Sequence, residues 1–329
     1  MSGISTNVGA TPRGCPDSDF HGCEGQNSGQ GRHGGLPLPP GRPDHPPDPL
    51  SPHLDRLIQL ALDEDLGPGD ITTDSLVSPD AMGRGTILAK ESLLLAGLPV
   101  ARRVFSRVDP EIVWEPVRAD GDRLEPGETA MTVRGRLRSL LIGERTALNF
   151  LQRLSGIATH VRKHVDAVAS AGKNVRLVDT RKTTPGWRSL EKYAVRIGGA
   201  ANHRFGLFDG VLIKDNHLAV CGGVERAVAL ARERVHHLVR IEVEVEDMAG
   251  VRQALNAGAD AILLDNMSID QIREAVGTIQ DRALIEVSGG VTLETLPALA
   301  QTGVDLISCG ALTHGARSVD LSMDIVAED

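Results

Sequence analysis

Between Asp179 and His217 the sequence places Arg181, Lys182, Arg188, Lys192, Arg196, His203, Arg204 and Lys214, in a chain of formal net charge -9. Guanidinium groups grip carboxylate or phosphate with paired hydrogen bonds, ammonium groups supply compact charge, and imidazole adds a donor. Such a concentration points to a ligand carrying several anionic groups. Arg188, Lys192 and Arg196 recur at four-residue steps on one expected helix, and read as a solvated or subunit-contact face rather than as part of the site. Further on, Glu242, Glu244 and Glu246 alternate with Ile241, Val243 and Val245. If the apolar residues pack outward, the carboxylates point together into an interior, where burial without a partner costs several kcal/mol each. They then need a cation, a metal or a polyhydroxyl ligand; the plain structural alternative is an internal ion pair with Lys214 or Arg181. Two glycine turns, Ser288-Gly289-Gly290 and Cys309-Gly310-Ala311, offer bare backbone N–H groups of the kind that cradle a phosphate, although either one alone reads as a tight turn.

These residues sit at the ends of short apolar runs. From about residue 174 a strand-then-helix rhythm predicts strands at 175–179, 211–214, 240–245, 261–265, 284–288 and 305–308. Alternating strands and helices imply a parallel sheet with right-handed crossovers. Polar groups terminate nearly every strand rather than one pair of them, which favours a barrel over an open sheet. Barrel active sites lie at the carboxyl ends of the strands, where Asp179 to Lys182, Lys214 to His217, Glu242 and Glu244, Asp265-Asn266, Ser288 to Gly290 and Cys309-Gly310 would gather.

The preceding stretch reads as a separate α/β unit. Ser51 caps a helix that presents Leu54, Leu57, Ile58, Ala61 and Leu62 on one face and ends at Gly67-Pro68-Gly69. Strands at 86–90, 111–117 and 129–136 surround a helix at 99–108. Two helices, 139–154 and 156–171, are expected on either side of a break at Ser155-Gly156. His160, His164, His236 and His237 are expected to be exposed on helices. Residues 1–50 contain ten Gly and nine Pro and read as a disordered tail.

An acidic chain is poorly suited to nucleic acid or an anionic membrane. Cys15, Cys23, Cys221 and Cys309 are too sparse for a disulfide scaffold. No apolar run approaches the roughly 20 residues of a membrane span, and no signal peptide follows Met1. A cytoplasmic protein is the expectation.

The motifs are similar to those of one family. Asp179-Thr-Arg-Lys-Thr-Thr-Pro-Gly, Lys192-Tyr-Ala-Val-Arg-Ile-Gly-Gly-Ala-Ala-Asn-His-Arg-Phe-Gly-Leu and Leu212-Ile-Lys-Asp-Asn-His resemble quinolinate phosphoribosyltransferase. So do Glu64-Asp-Leu-Gly-Pro-Gly-Asp-Ile-Thr, Gly143-Glu-Arg-Thr-Ala-Leu-Asn, Glu242-Val-Glu-Val, Leu263-Leu-Asp-Asn, Ser288-Gly-Gly and Gly310-Ala-Leu-Thr-His. The resemblance runs in order from about residue 53 to 325.

It implies an α/β fold with two parts. One is an open α/β sandwich over 51–155, completed by 313–329; the other, over 156–312, is an incomplete (β/α) barrel of fewer than eight strands. It implies conversion of quinolinate and phosphoribosyl pyrophosphate to nicotinate mononucleotide, pyrophosphate and carbon dioxide, in de novo NAD synthesis. Quinolinate would be held by Arg145, Arg181, His203, Arg204 and Lys214. The sugar pyrophosphate would meet Lys182, Lys214, Glu244 and Asp265, with its 5′-phosphate on Ser288, Gly289 and Gly310. Lys182, Lys214, Glu244 and Asp265 would support the chemistry. Mg²⁺ is expected near Glu244 and Asp265, carried mainly by the substrate. The resemblance also implies a homodimer, or a hexamer of three dimers, with Arg145 reaching the neighbouring subunit's site. Three alternatives stay open at this level: a sister enzyme acting on another aromatic acid, a Schiff-base barrel lyase using Lys214, and a non-catalytic sensor of pyridine carboxylates.

Overall fold

A computed structural model describes residues 52–328. The expectations of a disordered tail over residues 1–50 and of a cap at Ser51 lie outside the described residues. Helix α1 (Pro52–Leu66) buries Leu54, Ile58 and Leu62 at helical spacing, and α2 (Ile71–Leu76) is capped by Asp70, whose carboxylate accepts from the Thr73 amide. After β1 (Met82–Ala89), β2 (Leu93–Leu94) and α3 (Leu98–Val108) come β3 (Val113–Pro116), β4 (Arg123–Leu124) and β5 (Thr129–Arg136). In β1 every second residue is buried, so one face of its sheet is apolar and packs on helices. That sheet has the order β12-β1-β5-β3, where β12 (Leu321–Glu328) is the last strand among the described residues, running antiparallel to β1 from Leu321 opposite Ala89 to Glu328 opposite Met82. A small two-stranded sheet joins β2 and β4.

The expected break at Ser155-Gly156 does not exist: α4 (Leu137–Ser170) is one continuous helix of 34 residues. The pair serves packing instead. A Cβ on Gly156 would lie 2.1 Å from the carbonyl oxygen of Arg317, so glycine lets the returning chain press against the helix. Ser155 is fully buried, accepts from the Ala96 amide at 3.0 Å and donates to the Ala96 carbonyl at 3.1 Å.

The second sheet is parallel and six-stranded, formed by β6 (Arg176–Val178), β7 (Val211–Ile213), β8 (Ile241–Val245), β9 (Ala261–Asp265), β10 (Leu284–Ser288) and β11 (Leu306–Ser308). The helices between them are α5 (Arg188–Ile197), α6 (Asp215–Cys221), α7 (Val224–Arg234), α8 (Met248–Asn256), α9 (Ile269–Ile279) and α10 (Leu296–Ala300), with α11 (Ala311–His314) after β11. The strand order β6-β11-β10-β9-β8-β7 leaves β6 and β7 as its two edges. This is the barrel of fewer than eight strands that the sequence led us to expect. Residues just before His203 pair with the β6 edge, since the Ala201 amide donates to the Leu177 carbonyl at 2.9 Å and the Asp179 amide to the Ala201 carbonyl at 3.2 Å. His203 and Arg204 therefore enter where a further strand would otherwise stand.

Candidate active site

In β8, Ile241, Val243 and Val245 are buried at alternate positions, so Glu242 and Glu244 project to the opposite, inner face. Glu246 lies beyond the strand and is exposed, which corrects the expectation of three inward carboxylates. The register fixes depth: Glu244 stands beside Leu263 of β9, which stands beside Glu286 of β10, while Glu242 is one layer lower beside Ala261. One layer higher, Ser288 pairs with Asp265.

A cavity of about 630 Å³ opens at the carboxyl ends of these strands. It is lined by Arg181 and Lys182 after β6, His203 and Arg204 from the inserted segment, Lys214 after β7, Glu244, Asp265, Ser288 and Gly289, and Gly310 after β11. Of the expected site residues, Arg145 alone is absent from this lining; it is exposed on α4. The Lys214 ammonium pairs with the Glu244 carboxylate across neighbouring strands. Arg204 donates to the Gly210 carbonyl at 2.9 Å; its burial, with Arg181 beside it, lowers its affinity for its proton. Gly289 has φ +85°, and a Cβ there would lie 2.2 Å from Oδ1 of Asn266 and 2.8 Å from its backbone nitrogen. Only glycine fits this turn without displacing Asn266, which itself has φ 54°. Gly310 likewise gives room to Lys182, whose Cδ would lie 2.8 Å from an added Cβ.

Helix α5 holds these parts in place through three successive buried residues, not through a solvated face. Glu191 accepts from the Thr184 amide at 3.1 Å and hydroxyl at 2.9 Å, and from Arg153 of α4 at 3.1 Å, so it ties down the loop that carries Arg181 and Lys182. Lys192 donates to Asp179 and, at 3.0 Å, to the carbonyl of His203. Tyr193 donates to Asp120, which in turn accepts from the Gly97 and Leu98 amides at the start of α3. The expectation that Arg188, Lys192 and Arg196 form a solvated or subunit-contact stripe is thus corrected for two of them. Lys192 is buried on Asp179, and Arg188 bridges the Thr183 hydroxyl and the Phe205 carbonyl at 3.0 and 3.2 Å.

His203 sits at the inner wall with both ring nitrogens engaged. Nδ1 accepts from the Arg204 amide at 2.8 Å, and Nε2 lies 3.2 Å from Glu242 and 3.5 Å from Glu286. Glu286 escaped the sequence reading. It shares the inward face of β10 with Ser288 two residues later, and that period-two relation was the available signal. His314 also lines the cavity unforeseen. Among the histidines expected to be exposed on helices, His164 is buried and His160 half-buried on α4, while His236 and His237 are exposed in a loop.

Comparison with known proteins decides the family. The family descriptions "Quinolinate phosphoribosyl transferase, N-terminal domain" and "Quinolinate phosphoribosyl transferase, C-terminal domain" match residues 70–155 and 157–324. The chain belongs to the quinolinate phosphoribosyltransferase family. It is 44% identical over 272 residues to a probable nicotinate-nucleotide pyrophosphorylase (carboxylating) of Bacillus subtilis (strain 168), covering 83% of this chain and 93% of that protein. A crystal structure of NadC from Streptococcus pyogenes superposes with a TM-score of 0.82 at 42% identity, over 85% of this chain and 99% of that one. The nicotinate-nucleotide pyrophosphorylase of Francisella tularensis gives a TM-score of 0.79 at 38% identity, over 83% and 96% of the two chains. The fold that carries this cavity is thus shared along nearly the whole length of these three relatives.

Proposed function

We infer that the chain joins quinolinate to phosphoribosyl pyrophosphate in this cavity and releases nicotinate mononucleotide, pyrophosphate and carbon dioxide, a step of NAD synthesis. The observation that carries this reading is the lining itself: Arg181, Lys182, Arg204 and Lys214 face Glu244 and Asp265 in one cavity that ends on two glycine turns. Arg181, Arg204 and Lys214 would take the two carboxylates of quinolinate, with His203 forming the wall behind them. Ser288, Gly289 and Gly310 would take the 5′-phosphate. As pyrophosphate departs, C1 of the ribose gains positive charge, which Glu244 and Asp265 stabilise, while Lys182 and Lys214 offset the charge on the leaving group. The pyridine nitrogen attacks that carbon and becomes cationic. The C2 carboxylate then leaves as carbon dioxide, its electron pair held next to the positive nitrogen.

Magnesium fits the donors present, because Glu244 and Asp265 turn hard carboxylate oxygens toward the cavity. In this reading the pyrophosphate carries most of the metal's coordination, with Glu244 and Asp265 beside it. When bound, the ion neutralises phosphate charge.

The same reading makes the enzyme a homodimer, alone or as three dimers in a hexamer. Arg145 is exposed and outside its own chain's cavity, and Phe205, Leu207 and Phe208 expose apolar side chains just after His203 and Arg204. It also divides the chain into a sandwich of 51–155 with 313–329 and a barrel of 156–312, α4 running through both. Sparse cysteines agree with a cytoplasmic location.

The test is product formation with quinolinate, phosphoribosyl pyrophosphate and Mg²⁺, run beside nicotinate. Quinolinate is expected to turn over and nicotinate is not, because one carboxylate leaves cations of the site unpaired. Comparable turnover of nicotinate would refute the reading.

A further inference from the structure

Arg188, the first residue of α5, does not line the substrate cavity, yet its guanidinium reaches both of the loops that place arginine there. Its Nε donates to the Thr183 hydroxyl at 3.0 Å, one Nη donates to the Phe205 carbonyl at 3.2 Å, and the other lies 3.5 Å from the Arg181 carbonyl. Thr183 stands two residues after Arg181, and Phe205 directly follows Arg204. The bridge therefore joins the neighbourhood of one guanidinium assigned to quinolinate to the neighbourhood of the other.

One helical turn further on, Lys192 makes a second bridge between the same loops, from Asp179 to the His203 carbonyl. Arg181 is thus bracketed by Asp179 and Thr183, and Arg204 by His203 and Phe205. The two bridges differ in kind. Lys192 is buried on a buried carboxylate, whereas Arg188 is half-buried and meets three uncharged oxygens. Removing Arg188 strands no buried charge, so the loops can shift while the fold remains.

The loop after Arg204 is stiff enough to transmit such a bridge. Asp209 accepts from the Phe205 amide at 2.6 Å and the Gly206 amide at 2.8 Å, and the Gly210 carbonyl accepts from Arg204 itself at 2.9 Å. Arg181 and Arg204 are also close enough that the charge of the first lowers the second's affinity for its proton. Their repulsion drives the loops apart, and a planar, fixed fork between the loops opposes it. Quinolinate carries its carboxylates on adjacent ring carbons, so the ring fixes the separation that two guanidinium groups must match.

We propose that Arg188 is a positioning residue that sets the distance between Arg181 and Arg204, and through it the preference of the site for two carboxylates on adjacent ring carbons. This rests on the reaction given above and deepens it by naming what recognises the spacing of the diacid. The phosphate side is anchored independently. The Lys182 amide donates to the Thr180 hydroxyl at 3.0 Å, the Lys182 carbonyl accepts from the Thr313 hydroxyl at 2.6 Å, and Ser288, Gly289 and Gly310 stand at the ends of β10 and β11.

Arg188→Gln removes the bridge. Phthalate, which has CH in place of the ring nitrogen of quinolinate, and isophthalate, whose carboxylates are one carbon further apart, probe the spacing without turnover. Titration calorimetry gives the Kd of each, and steady-state kinetics gives KM for both substrates. Wild type is expected to prefer phthalate. In the variant, phthalate binding weakens about 10-fold, as loss of one charge-assisted hydrogen bond predicts, while isophthalate binding changes by less than about 3-fold. The KM for quinolinate rises about 10-fold and that for phosphoribosyl pyrophosphate stays within about 3-fold, a split that general loosening of the fold would not give. Equal weakening of both diacids, unchanged selectivity, or a wild type without preference would overturn the assignment. Arg188→Lys keeps the charge, loses the planar fork, and is expected to behave as Arg188→Gln; wild-type selectivity in it would make charge rather than the bridge the cause, and overturns the proposal. If Arg188→Gln does not fold, Thr183→Val, which removes one end of the bridge and keeps the arginine, is expected to reduce selectivity about 3-fold; no reduction overturns the proposal. A wild-type enzyme that binds phthalate but does not turn over quinolinate would instead overturn the underlying reaction.

Discussion

Replacing Lys192 by methionine tests the account of α5. Lys192 is 3% exposed and its partner Asp179 fully buried. Asp179 also accepts from Asn202 at 2.7 Å and from the His203 amide at 2.8 Å. Burial raises the Asp179 pKa and lowers that of Lys192, each opposed by the other's charge, so the two remain ionised only as a pair. Removing one partner of such a pair costs about 3–5 kcal/mol, since the other charge is stranded in a dry place. At about 2–4 °C per kcal/mol for a chain of this size, Tm should fall by roughly 6–20 °C. Adding Asp179→Asn to Lys192→Met should recover part of that loss, because no buried charge then lacks a partner. Thermal unfolding followed by circular dichroism at pH 7, with activity measured on the same samples, checks both statements. A Lys192→Met protein melting within about 2 °C of wild type would refute the reasoning, and would return Lys192 to the solvated face that its spacing suggests.

Two further outcomes are expected. Burial, and secondarily the charge of His164, lowers the His160 pKa from 6.5 to about 4, and its Nε2 is buried without a partner. Its contribution is therefore full above pH 6.5 and is lost as pH falls toward about 4, because the unfolded chain binds the proton first. His160→Gln should flatten the decline in urea midpoint between pH 7 and pH 4.5; an unchanged decline would remove His160 from the explanation. Arg145→Ala and Lys214→Ala proteins should each be nearly inactive, while mixing them should restore about a quarter of wild-type sites, since half the dimers are hybrids with one intact site each. No recovery, with subunit exchange shown by mass spectrometry, would mean that Arg145 serves its own chain.

The barrel strands were legible because each is a short apolar run closed by a polar residue, and 261–265 and 284–288 were read to the residue. Glu242 and Glu244 were legible from alternation alone. What failed was any feature whose partner lies elsewhere in the chain. Gly156 looked like a helix break because glycine weakens helices locally, yet its reason is Arg317, 161 positions later. Lys192 looked solvated because four-residue spacing describes one helix and says nothing of Asp179 on another element. Glu286 was passed over as one polar residue within an apolar strand, since its meaning depends on His203 and Glu242 converging from two other segments.

The pairing of β12 with β1 has a consequence for how the protein is made. Strand β1 leaves the ribosome well before the barrel and finds β5 soon after, but its other neighbour, β12, follows the whole barrel in the sequence. Throughout synthesis of the barrel, that flank of β1 presents unpaired amide and carbonyl groups, an edge on which a second nascent chain could pair. The β12-β1-β5-β3 sheet is complete only once β12, which follows the whole barrel in the sequence, has been made. A chain lacking β12 would keep all six strands of the barrel sheet but would leave that flank of β1 unpaired.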